Sequence, residues 1–160
     1  MSRPPRLGGA DYIGQKLYFL TICCHRRQSV FIHAGIVELV LRQILHAAIA
    51  RQFALTAYCF MPDHFHALAA GLREDADLTS FVSLAKQRSG YHFKREYRRP
   101  LWQEGYFDRV LRSDEPEIAV IRYIVSNPIR ARIVETPQEY PFWGSQLYAR
   151  AEILDAISRP

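Results

Sequence analysis

The chain predicts an α+β fold, an antiparallel sheet carrying helices, on three observations. Short runs rich in β-branched and aromatic residues alternate with longer segments whose apolar residues recur at helical spacing. Their order is β-α-β-β-α-β with one further helix behind it. The two middle strands are joined only by Pro62 and Asp63, so they form a hairpin and pair antiparallel. At 160 residues this is one domain, long enough to bury a sizeable core.

Residues 1–14, with Pro4-Pro5 and Gly8-Gly9, read as a flexible arm. Tyr18 to Cys24 is the first strand. Ile36 to Phe53 is a helix, with Ile36, Val37, Val40, Leu41, Ile44, Leu45, Ala48 and Ile49 on its apolar side. Leu55 to Met61 is the second strand and His64 to Ala70 the third. Leu78 to about Lys94 is a second helix, which Asp77 or Thr79 can cap and whose inner face is Phe81, Val82, Leu84 and Ala85. Arg99-Pro100 breaks that pattern, and Tyr106 to Leu111 is the fourth strand. Ser113 or Asp114 opens a third helix with Pro116 near its first turn and acids that favour a helix N-terminus. It runs through Ile118, Ile121, Ile124 and Val125 to Asn127, ahead of Pro128. Residues 140–160 form a C-terminal tail. This order is the ferredoxin-like arrangement: the first and third strands sit centrally, the two crossover helices cover one face, and the last helix is left to pack elsewhere, near the third strand.

Apolar residues make up 49% and charged residues 23%, an ordinary soluble composition. No apolar run reaches the roughly 18 residues of a membrane span, and no long apolar stretch marks a secretory signal. Three cysteines, two of them the adjacent Cys23 and Cys24, make no disulfide framework, and no Cys-x-x-Cys suggests structural zinc. A reducing cytoplasm is the expected home. The net charge is +5, and the stretch from Lys86 to Arg112, eight basic residues against three acidic, carries as much by itself. Tyr91, His92, Phe93, Tyr97, Trp102, Tyr106 and Phe107 are interleaved there. Basic residues with aromatics suit phosphates and stacked bases, and Lys86, Arg88, Lys94, Arg95 and Arg109 are the candidate DNA contacts. The same pattern also fits a solvated helix face over core aromatics.

His64 and His66 are the polar exception on an apolar strand. Residues two apart on a strand share a face, roughly 6.5 Å apart, so two imidazoles can bind one metal ion from one side. By themselves they better suit two satisfied, half-buried histidines on an edge strand. On the third helix Tyr123 and Asn127 stand i, i+4 on one face. Asn127 can offer a carbonyl oxygen to a hard cation, and Tyr123 a phenolate to a phosphate polarised by that ion. Mg²⁺ or Mn²⁺ suits such a mixed N/O site better than Zn²⁺. Taken singly, Tyr123 reads better as a core aromatic and Asn127 as a helix-end residue before Pro128.

Four blocks together are more specific. They are Cys59-Phe60-Met61-Pro62-Asp63-His64-Phe65-His66-Ala67-Leu68, Leu101-Trp102-Gln103-Glu104-Gly105-Tyr106-Phe107-Asp108-Arg109, Tyr123-Ile124-Val125-Ser126-Asn127-Pro128-Ile129-Arg130-Ala131, and the weaker Tyr140-Pro141-Phe142-Trp143-Gly144-Ser145. In order and spacing the chain resembles the REP-associated tyrosine transposases, a branch of the single-tyrosine HUH transposases. The resemblance implies that His64, His66 and Asn127 hold a divalent metal and that Tyr123 is the nucleophile. It implies cleavage of single-stranded DNA beside a hairpin of a repetitive extragenic palindrome. A 5′-phosphotyrosine and a free 3′-hydroxyl result, and religation needs no outside energy. It favours a monomer over a homodimer, with Tyr140 to Leu154 covering the would-be interface, in a protein associated with the nucleoid. Arg132 and Gly144 depart from the family pattern, which commonly has glycine and serine there. A non-catalytic hairpin-binding module on the same fold is the alternative. A phosphoesterase built on two His-x-Thr/Ser motifs is a third reading, against which only one His-x-His is present.

Overall fold

A computed structural model describes residues 12–160 of the chain. The expected arm lies outside the described residues as far as residue 11. Its last residues are packed rather than free: Tyr12 is buried, Ile13 bridges Asp77, and Gly14 N–H donates to Ala76 O at 2.9 Å. Gly71 lies so close to this segment that a Cβ there would stand 2.2 Å from the Gly14 carbonyl oxygen, so only glycine fits.

The strands are β1 Leu17–Cys23, β2 Phe53–Met61, β3 His64–Gly71, β4 Phe107–Val110 and the short β5 Trp143–Gly144. The α-helices are α1 Ala34–Ala50, α2 Leu78–Tyr97, α3 Glu117–Val125, α4 Asn127–Arg130 and α5 Arg150–Ser158. The sheet is antiparallel in the order β4-β1-β3-β2-β5, so β1 and β3 are central and adjacent as the ferredoxin-like order requires. The additional strand at the β2 edge comes from the C-terminal tail, where the sequence pattern predicts none. Two residues of pairing carry no periodicity to read.

Alternation sorts each strand between two cores. Tyr18, Leu20 and Ile22 of β1 and Phe65, Ala67 and Ala69 of β3 pack with α1 and α2. On the other face Leu68 of β3 packs with Val120, Ile121, Ile124 and Val125 of α3, and with Trp143 and Ile153 behind them. In β2 the alternation changes phase. Leu55 pairs with Ala69 and Ala57 with Leu68, leaving Thr56 as a bulge. Phe53 and Leu55 therefore face α1 and α2, while Ala57, Cys59 and Met61 face α3.

Helix ends follow local chemistry. Asp77 Oδ1 caps α2, accepting from Thr79 N–H at 2.9 Å and Ser80 N–H at 3.4 Å. The helix runs past Lys94 and stops at Arg98, whose φ of 59° is left-handed. The third helix is shorter than its pattern suggests. It ends at Val125 instead of running on to Asn127, because Pro128 has no N–H to continue the ladder, and α4 begins afresh at Asn127. Among the described residues no helix is long and apolar enough to cross a membrane.

Candidate active site

Parity puts both histidines on the α3 side of the sheet. His66 stands opposite Thr21 on β1 and Cys59 on β2, and His64 opposite Cys23 and Met61. Their Nε2 atoms are 3.0 Å apart. His64 Nδ1 lies 2.7 Å from Asp63 Oδ1, and a carboxylate only accepts, so that nitrogen carries the proton and Nε2 is left as a ligand. Asp63 is held in turn by Arg27 Nε at 2.9 Å. His66 Nδ1 is hydrogen-bonded to Thr21 Oγ1 at 2.8 Å. Burial, reinforced by the neighbouring His64, pushes the His66 imidazole down to about 3, so near neutral pH it is an uncharged base.

This geometry suits a metal. Two ligands at about 2.1 Å and a right angle from one ion stand about 3.0 Å apart, the spacing of adjacent positions on an octahedral cation. Among the described residues no third His, Cys, Asp or Glu joins the pair. Further donors would come from an amide, substrate or water, which favours a hard, open-sited cation over a closed zinc site.

Tyr123 comes to the same place from α3. Its neighbours Val120, Ile121, Ile124 and Val125 are buried, and Tyr123 itself is 49% exposed. Its ring lies 6.3 Å from the His66 ring, centroid to centroid. Phe19 fills the angle between them, edge-on to Tyr123 at 5.8 Å and stacked on His66 at 5.4 Å. A cleft of about 380 Å³ opens beside the tyrosine, lined by Phe19, Arg109, Glu115, Ala119 and Val120. The Arg130 guanidinium sits 3.8 Å from the Tyr123 ring centroid. Asn127 is half-buried, one turn beyond Tyr123 across the helix break, and among the described residues it makes no hydrogen bond to either imidazole.

The five candidate DNA contacts separate into two kinds. Lys86 is engaged within the fold: its ammonium donates to Gln103 O at 2.9 Å and Gly105 O at 2.6 Å, anchoring the approach to β4. Arg88 also turns inward, toward His46 on α1 at 3.4 Å, with its Nε buried. Arg109 is outward but engaged twice by Glu115, at 2.5 and 2.9 Å, a pairing that holds Glu115 below the usual carboxylate range. Lys94 and Arg95 are exposed and, with Tyr91 and Arg98, line one side of α2 at positions i, i+3, i+4 and i+7. Phe19, Thr21, Arg27, Asp63 and Arg130 were not singled out from sequence. Thr21 was visible as the hydroxyl in an apolar strand, and Asp63 as the acid beside His64. Cys24 and Cys59 are buried free thiols pushed up to about 12 by burial, which leaves them inert.

A family model described as Transposase IS200 like matches residues 14–127, a span that includes both histidines, Tyr123 and Asn127. The chain belongs to the IS200-like transposase family. Among its relatives is a Haemophilus influenzae protein named a REP-associated tyrosine transposase, 23% identical over 155 residues that cover 89% of this chain and 87% of the relative. A solved REP-associated tyrosine transposase bound to a REP hairpin superimposes with a TM-score of 0.74 at 21% identity, covering 89% of this chain and 82% of that one. A crystal structure of a transposase from Deinococcus radiodurans follows at a TM-score of 0.54 and 18% identity, over 83% of this chain and 92% of its own. The IS200-like sheet and its helices are thus shared, and the sequence-level resemblance to REP-associated transposases agrees with the relatives it meets.

Proposed function

We propose that this IS200-like transposase is a metal-dependent enzyme that nicks and rejoins single-stranded DNA beside hairpins of palindromic repeats. The observation that carries this reading is the approach of Tyr123 to His66, 6.3 Å between ring centroids within one chain. A tyrosine brought beside a paired-imidazole site is the equipment for phosphoryl transfer to the protein.

His64 and His66 would hold the ion, with Asn127 and the substrate as further donors, and Mg²⁺ or Mn²⁺ fits that donor set. When bound, the ion supplies Lewis-acid polarisation of the scissile phosphate. The protein's own residues do the rest. Tyr123 forms the O–P bond as the P–O3′ bond breaks, and the phenolic proton ends, through solvent, on the departing 3′-oxygen. Rejoining is the reverse, so no external energy is required. Asp63 and Thr21 keep the imidazoles turned toward the ion. The outward Tyr91, Lys94, Arg95 and Arg98 face of α2 is the surface best suited to DNA phosphates. Because the tyrosine meets its own chain's histidine, the site is complete in one copy, which supports a monomer.

That same basic face also supports the second reading, a hairpin-binding protein without chemistry. One experiment separates them. A labelled single-stranded hairpin is incubated with Mg²⁺ or Mn²⁺, with EDTA, and with Tyr123→Phe. A denaturation-resistant protein–DNA band that needs both metal and Tyr123 is expected. Tight binding with no band across several repeats and both metals would leave the binding module.

A further inference from the structure

We infer that Arg130 is the positioning residue for Tyr123, fixing its ring before DNA arrives. This rests on the reading of Tyr123 as nucleophile. The cause begins with Pro128. Where it interrupts the helix, the amide of Asn127 does not reach back to Tyr123, and the Tyr123 carbonyl is left outside the α3 ladder. Arg130, on the short α4, folds back and donates to that carbonyl at 3.0 Å. The same guanidinium lies over the Tyr123 ring, 3.8 Å from its centroid and well inside the cation–π range of about 6 Å. One planar group therefore holds both the backbone and the ring of one residue.

The clamp matters because Tyr123 is 49% exposed and packing alone does not fix it. Phe19 meets the ring at a T-shaped angle and Arg130 lies over its face. Among the described residues Arg130 has no carboxylate partner, so nothing competes for it. Lysine would keep the charge but not the flat stack with a simultaneous in-plane donor. Arg130 thus acts on the tyrosine rather than on the DNA.

The test uses Arg130→Ala and Arg130→Lys in the full chain, with two readouts. The first is the single-turnover rate of covalent adduct at saturating hairpin, set beside hairpin affinity. The rate is expected to fall about tenfold or more in both variants, the scale on which a misplaced reacting group costs rate, with affinity within about twofold. The second is ¹⁹F NMR of protein carrying 3-fluorotyrosine, the Tyr123 resonance being assigned by its loss in Tyr123→Phe. That resonance alone is expected to shift and narrow in both variants. An unchanged rate and resonance would overturn the proposal, as would a loss of hairpin affinity with the saturated rate intact, which would make Arg130 a phosphate contact. If the wild-type protein gives no adduct with any hairpin, the nucleophile reading fails, and the NMR readout still decides whether Arg130 orders the ring.

Discussion

Phe19 is stacked on His66, their ring centroids 5.4 Å apart and their planes 29° from parallel. It meets Tyr123 as well, at a T-shaped angle, so one side chain of a central strand touches both the His66 imidazole and the tyrosine. Phe19→Ala is expected to lower the adduct rate about tenfold or more at saturating metal, more than its effect on folding implies. Each aromatic contact contributes about 1 kcal/mol beyond burial, so stability should fall by about 1–3 kcal/mol. Phe19→Leu should recover part of both. Adduct kinetics beside urea unfolding check this, and equal rates in all three proteins would remove Phe19 from the site.

The histidine Nδ1 atoms, turned away from the paired Nε2 atoms, are held by Asp63 and Thr21. Asp63→Asn and Thr21→Val are each expected to weaken Mn²⁺ binding by about 10–100-fold, the usual cost of losing a partner that orients a ligand. Calorimetric titration reads the affinity. Circular dichroism should be unchanged.

The pH dependence of the metal-free protein follows from His66. Its folded value, about 3, lies below the ordinary 6.5, so the folded state resists a proton that the unfolded chain accepts. Above pH 6.5 neither state binds it and nothing is lost. As pH falls from 6.5 toward 3, stability drops with a slope approaching about 1.4 kcal/mol per pH unit. Urea midpoints in EDTA at several pH values test this. His66→Gln should flatten the curve, and an identical slope in that variant would assign the acid sensitivity elsewhere.

Thr56 carries a buried hydroxyl with no hydrogen-bond partner among the described residues. Thr56→Val is expected to raise stability by about 1 kcal/mol, since it removes a desolvated polar atom and keeps the shape. A higher urea midpoint with an unchanged slope is the expected result.

Much of this arrangement was legible in the chain because periodicity reports faces. The α1 pattern, the Pro62-Asp63 hairpin and the strand order β4-β1-β3-β2 all followed from spacing. His64 and His66 were visible for the same reason, as polar residues in an apolar alternation. Other features were hidden because their cause is tertiary. Nothing local says that Lys86 is captured by the Gln103 and Gly105 carbonyls, since a lysine on a helix looks solvated until its neighbours are placed. The β5 strand is two residues long, and α5 depends on packing against α3 more than on its own pattern. Arg130 escaped notice because its role exists only once the helix breaks and the chain folds back over Tyr123.

The bulge at Thr56 has an implication for how this chain can vary in length. Before it, β2 feeds the core under α1 and α2; after it, the same strand feeds the core beneath α3. Removing Thr56 would restore regular pairing and leave both halves of the strand on their present faces, since Leu55 and Ala57 already lie on opposite sides of the sheet. A single deletion inside β3, which has no such residue to give up, would put the histidine half of that strand one pleat out of step with the rest. Natural variation in length should therefore be tolerated at Thr56 and excluded from β3.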